Sequence, residues 1–222
     1  MKTLKMFLFK RFNIFFPLFS LTVLSILILA IRLKITHSFF YLFLVWNLFL
    51  AMIPFCISTY IKTIKQIKKP KLYFLLSVWL LFLPNAPYLL TDFIHLRLSP
   101  TEWLGFDCLM ITVFAVTGLA FYVVSIKEMK QLLLEHFNQK IVLKFMVILP
   151  FVVGFGMYIG RVLRWNSWDI LHNPFVLFKD IFEIIANPID NMEAWAFTIL
   201  FGLFLKFTFW CFEKYLFDYM EA

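Results

Sequence analysis

Apolar residues in this chain come in long unbroken runs rather than in the alternating or one-sided patterns of soluble elements. Six runs, roughly 13–32, 38–61, 72–90, 105–126, 141–160 and 193–212, are long enough to cross a hydrocarbon layer of ~30 Å, which takes about 20 helical residues. In the first run, thirteen of the residues from Ile14 to Ile31 are Leu, Ile, Val or Phe. At about −0.3 to −0.6 kcal/mol each, they favour insertion by on the order of 5 kcal/mol. The pattern predicts an all-α, polytopic membrane protein of about six transmembrane helices in one transmembrane domain over residues 1–222. Two shorter stretches are amphipathic. Phe175, Phe178, Ile181, Phe182 and Ile185 recur at helical spacing, with Lys179, Asp180 and Glu183 elsewhere on the wheel, which predicts a short helix flat on the outer interface. A second interfacial helix is expected from Glu128 to Lys140, on the cytoplasmic side.

Composition removes the soluble alternative. The chain has 222 residues, of which 63% are hydrophobic and 15% charged; it carries 31 Phe, and its mean hydropathy is +0.87. Soluble domains are roughly 45–50% apolar, and this excess could not be hidden in a core of this size. The net charge of +8 would suggest nucleic acid in a soluble protein. Here the lysines lie between the apolar runs, so membrane topology accounts for them and no nucleic-acid partner is expected. The partner expected first is the bilayer.

Orientation follows from the cations. With the N-terminus inside, fifteen face the cytoplasm: Lys2, Lys5, Lys10, Arg11, Lys62, Lys65, Lys68, Lys69, Lys71, Lys127, Lys130, Lys140, Lys144, Lys206 and Lys214. Only six face outward: Arg32, Lys34, Arg97, Arg161, Arg164 and Lys179. The bias predicts both termini inside, as an even helix number requires. The basic start resembles a signal peptide, but the run after it is long and lacks an A-x-A-like site, so it reads as a retained helix. Cys56, Cys108 and Cys211 lie within apolar runs without metal-type spacing.

Eight of the thirteen acidic residues, from Asp92 to Glu193, fall on the outer side of this topology, opposite to most lysines. Two polar strings stand out there. The first runs from Leu83 through Pro84, Asn85, Ala86, Pro87 and Tyr88 to Thr91, Asp92 and His95. Its prolines break the helical ladder and free carbonyls that need partners, a pattern that usually lines a cavity. If helix resumes at Thr91, Asp92 and His95 share a face. Such a pair can orient an imidazole for proton transfer or supply two ligands of a divalent metal; it can equally do no more than satisfy hydrogen bonds.

The second string runs from Gly160 and Arg161 through Arg164, Trp165, Asn166, Ser167 and Trp168 to Asp169. If the helix continues, Arg161, Trp165, Trp168, Asp169 and His172 lie on one side. Arg161 and Arg164 could clamp a phosphate or carboxylate in paired hydrogen bonds, or tie helix ends to a carboxylate. Upstream, Gly156 and Gly160 are spaced for close helix packing. Asp107 opens the fourth run and is expected to cap it, to pair with Arg161 or Arg164, or to join Asp92 and His95. Asn47 with Pro54 implies an interhelical hydrogen bond or a kink.

Nucleotide-binding glycine loops, H-E-x-x-H and G-x-S-x-G are absent, as is an evident inverted repeat. The two strings, together with Asn47-Leu48-Phe49-Leu50-Ala51, Pro54-Phe55 and Tyr158-Ile159, resemble a family of bacterial multi-pass membrane proteins, domain of unknown function 1361. The resemblance spans about residues 40 to 210. It implies a bacterial plasma (inner) membrane protein and carries no catalytic residues with it.

Two function classes stay open. In an enzyme acting on a lipid headgroup or envelope intermediate, Asp92, His95, Asp107 and Asp169 are the catalytic candidates. Asn85, Tyr88, Arg161, Arg164, Trp165, Asn166 and Trp168 would bind an anionic lipid or small molecule, and Asp92 and His95 are the metal candidates. In a binding, transport or assembly protein, the same cluster pairs charges between helices. A single convergent site requires Asp92, His95, Asp107, Arg161 and Asp169 to share one pocket.

Overall fold

The computed structural model of the chain describes residues 11–64 and 66–215. Four cations in the orientation count, Lys2, Lys5, Lys10 and Lys65, lie outside those residues. The fold is all-α, and six helical segments are long and apolar enough to cross a membrane: Phe12–Thr36, Phe40–Thr63, Lys69–Leu98, Thr101–His136, Gln139–Arg161 and Met192–Tyr215. In chain order the helices are α1 (Phe12–Thr36), α2 (Phe43–Thr63), α3 (Lys69–Phe82), α4 (Asn85–Tyr88), α5 (Leu104–His136), α6 (Gln139–Arg161), α7 (Asp169–His172), α8 (Pro174–Ala186) and α9 (Met192–Tyr215).

At the centre stands α5, the most buried span, with α1, α2, α4, α6 and α9 packed around it. Its 33 residues reach about 50 Å at ~1.5 Å per residue, well beyond the hydrocarbon layer. The peripheral helices show why a uniformly apolar sequence still selects one face. On α1 the buried positions are Leu18, Ser25, Leu29 and Arg32, a stripe that turns Ser25 and Arg32 inward with two leucines and leaves Phe16, Phe19, Leu24, Leu27 and Ile31 to the lipid. The Ser25 hydroxyl meets that of Thr117 on α5 at 3.0 Å. On α3 the buried Trp79 indole donates to Ser125 of α5 at 2.8 Å. With lipid outside and protein inside equally apolar, small residues and interhelical hydrogen bonds choose the packed face.

Glycines set the closest approaches. A Cβ on Gly154 would sit 2.9 Å from the Thr198 carbonyl of α9, and one on Gly202 would strike the Phe151 ring of α6, so α6 and α9 zip together there. Gly156 lies against Pro84, where a Cβ would come within 2.5 Å of the proline Cγ. Gly160 faces the Tyr88 ring, 3.3 Å from a would-be Cβ. The packing expected of the Gly156 and Gly160 spacing therefore holds α6 against the proline-rich segment.

Two local expectations change. The chain after α4 continues from Leu89 to Leu98 as 3-10 helix, not α-helix, so the third span runs past the predicted 72–90. And the expected surface helix from Glu128 to Lys140 is not separate. Residues 128–136 complete α5, whose buried Glu128 accepts from Ser58 (2.7 Å) and Thr59 (3.0 Å) and pairs with Arg11. A paired carboxylate no longer needs a solvated face. The amphipathic helix near residue 175 is present as α8, with Leu177 and Ile184 buried and Phe175 and Phe182 exposed.

Candidate functional site

The two polar strings meet at the end of the bundle where α6 stops. Asp92 is fully buried and takes hydrogen bonds from the Arg161 guanidinium through Nη2 and from the Asn47 amide at 3.0 Å. Arg161 uses its remaining reach on the same segment. Its Nε donates to the Thr91 hydroxyl at 2.7 Å, which itself donates to the Tyr88 carbonyl at 2.6 Å, and its guanidinium lies 4.3 Å over the Tyr88 ring. His95 completes the group, its Nε2 3.3 Å from Arg161 Nη1 and 3.9 Å from Asp92 Oδ1. The imidazole also packs against Phe43, with ring centroids 4.7 Å apart.

Local backbone geometry explains why these groups converge. In 3-10 helix, residues three apart eclipse one another, so the turn after Tyr88 stacks Asp92 under His95 more directly than an α-helix would. The last turn of α6 then presents Arg161 to both. Beyond it the helix does not continue. Arg164 adopts a left-handed conformation (φ 62°), and the Trp165 N–H returns to the Ile159 carbonyl at 3.2 Å. The chain folds back over the helix end, which separates Arg161 from the Trp165, Trp168 and Asp169 face expected of an unbroken helix.

Two sequence candidates therefore lie elsewhere. Asp107 bonds neither Arg161 nor Arg164: Arg32 of α1 grips it in two parallel contacts, Nε to Oδ1 at 2.5 Å and Nη2 to Oδ2 at 3.0 Å, and Ser99 donates at 2.5 Å. Arg32 is itself buried and stacks over Trp103. This is a second ion pair with its own partners. Asp169 turns to its own loop, accepting from the Asn166 backbone N–H at 2.7 Å and the Asn166 side-chain amide at 3.1 Å. Of the five groups expected in one pocket, Asp92, His95 and Arg161 come together. The proposed metal pair gains no third ligand, since among the described residues no group of three or more His, Cys, Asp or Glu side chains is arranged to hold a metal ion.

Beside the ion pair lies a half-open groove of about 740 Å³ between α3 and α6. Asn47 and Tyr88 stand between it and the buried charges: both line the groove, Asn47 bonds Asp92 behind it and Tyr88 carries Arg161. Phe74, Val78, Val152 and Phe155 form its apolar walls. It is roofed by residues 165–181, held by two ties to the bundle and one within the segment. Asn85 donates to the Ser167 hydroxyl at 3.0 Å, Ser167 donates to the Leu81 carbonyl at 3.2 Å, and the Trp165 indole donates to Asp180 of α8 at 2.9 Å. Trp46 and Trp168 meet edge to face there, with centroids 6.1 Å apart. Asn85, Tyr88, Trp165, Asn166 and Trp168 all line the groove, whereas Arg161 and Arg164 do not. Sequence reasoning gave Trp46, Ser77 and α8 no place in a site. The tryptophan beside Asn47 was the available signal.

Six apolar spans, five of them arranged around a central sixth, with ionisable groups paired inside and a groove on the flank, define a multi-pass integral membrane protein of unassigned activity. The family model described as Protein of unknown function (DUF1361) matches residues 46–208. The chain belongs to that family. No curated protein and no solved structure matches it.

Proposed function

We propose that the chain is a lipid-binding protein of the bacterial plasma membrane, and that the groove between α3 and α6 takes an acyl chain laterally from the bilayer. The observation that carries this reading is the mixed lining of the groove: Phe74, Val78, Val152 and Phe155 give it apolar walls, and amides, indoles and the Ser167 hydroxyl gather where the chain after α6 closes over Asn85. From Phe74 to Asn85 the wall rises about 16 Å at ~1.5 Å per residue, close to half of a ~30 Å hydrocarbon layer, so one leaflet's depth is spanned. Under the cation bias of the sequence, the polar end faces outward and both termini face the cytoplasm.

The Asp92–Arg161 pair serves this reading as a fastener. Its hydrogen-bonding capacity is spent on Thr91, Asn47, His95 and each other, which supports charge pairing between helices over acid–base work by Asp92. The test is native mass spectrometry of the detergent-purified protein. Wild type should retain co-purified lipid, and Ser77→Trp or Val152→Trp, each on an exposed wall position, should lose it while remaining folded. Equal lipid retention in both variants would refute the groove as the site.

A further inference from the structure

The polar end of the groove has a composition that selects among headgroups. Trp46, Trp165 and Trp168 supply aromatic faces, and Asn47, Asn85 and Asn166 supply amides. Among the described residues, no Lys, Arg, His, Asp or Glu side chain lines the groove. Arg161, beside the groove, is engaged by Asp92 and Thr91, and the carboxylates of Asp180 and Asp169 each accept from a lining residue, the Trp165 indole and the Asn166 amide. A phosphate or carboxylate headgroup would gain no charge-assisted bond there and would lose its hydration on entering. A neutral sugar has the complementary chemistry. Its C–H face is apolar and packs on an indole, and its hydroxyls can donate to the side-chain amide oxygens, whose N–H groups are engaged by Asp92 at Asn47, by Phe82 and Ser167 at Asn85 and by Asp169 at Asn166.

We infer that the ligand is a glycolipid, an acyl chain carrying an uncharged, hydroxyl-rich glycosyl headgroup held between the tryptophans and asparagines of the groove's polar end. This rests on the lipid-binding reading above and narrows it.

The experiment is a native mass spectrometry titration of the full chain with three lipids of identical acyl chains: monoglucosyl diacylglycerol, phosphatidylglycerol and diacylglycerol. The glucosyl lipid should bind about tenfold tighter than either other, equivalent to about 1.4 kcal/mol. Asn85→Ala should erase that preference. Because Asn85 also anchors the roof through Ser167, Trp46→Ala is the second variant: Trp46 is exposed and its ring can be removed without opening that tie. It should reduce the preference for the glucosyl lipid over diacylglycerol at least threefold. Phosphatidylglycerol binding as tightly as the glucosyl lipid would overturn the headgroup assignment. So would equal binding of diacylglycerol, although the groove would then still hold an acyl chain. If none of the three binds, the lipid-binding reading itself fails.

Discussion

Removing the Arg161 guanidinium should be the most damaging single change at the α6 end of the bundle. Asp92 is 0% exposed, and the Arg161 side chain is only 16% exposed, so neither charge has water to fall back on. In Arg161→Gln the carboxylate keeps the Asn47 amide at 3.0 Å and the imidazole 3.9 Å away, and loses the guanidinium that balances its charge. Breaking a buried pair from one side costs about 3–5 kcal/mol, because the remaining charge is stranded. At roughly 2–4 °C per kcal/mol for a chain of 150–250 residues, melting should fall by about 6–20 °C. The double variant Asp92→Asn/Arg161→Gln removes both charges and should recover more than half of that loss. Arg161→Lys keeps the charge but not the planar stack on Tyr88, and should fall between. Thermal unfolding of purified protein, followed by fluorescence of the seven tryptophans, reads all three. A melting point for Arg161→Gln within 2 °C of wild type would refute the reasoning, and so would a double variant less stable than the sum of its parts.

Two further outcomes follow from the same packing. Arg32→Gln should couple strongly to Asp107→Asn in a double-mutant cycle. Its effect should add to that of Arg161→Gln within about 0.5 kcal/mol, since the two pairs share no partner; coupling between Asp107 and Arg161 would contradict this arrangement. Gly156→Ala should lower stability by about 1–3 kcal/mol, because its Cβ would press on Pro84, while Gly105→Ala, with open space around it, should be neutral or stabilising. Equal melting points for the two variants would remove the close approach of α6 to the proline segment as a packing constraint.

The six spans were legible because insertion is a property of each run by itself: apolar length against bilayer thickness requires no knowledge of neighbours. What depends on partners was harder. Glu128 in isolation looks like the first charge of a surface helix, and only Ser58 and Thr59 on α2 with Arg11 before α1 make a buried carboxylate tolerable inside α5. Pro84 and Pro87 announced a broken ladder, but whether the chain then resumes α or 3-10 geometry depends on how α5 and α6 receive it. Gly118 shows this: a Cβ there would collide with the Ala86 carbonyl. Asp107 required the choice of one arginine among several on its side of the topology. Arg32, near the end of the first run, was on that side with the others, and separation along the chain hid it.

The polar strings carry two kinds of residue, and the fold sorts them. Charged members, Asp92 and Arg161, are turned toward each other and away from the groove, as an apolar surrounding demands of any ion that stays ionised. Neutral members, Asn85, Tyr88, Trp165 and Trp168, face the groove together with Asn47 of α2, and there an amide or indole is tolerated at far lower cost than a charge. Asn47 and Tyr88 do both at once, each touching an ion on one side and the groove on the other. The ion pair thus fixes the position of the very residues that would meet a ligand. Loosening the pair should therefore disturb binding without any charge having touched the lipid.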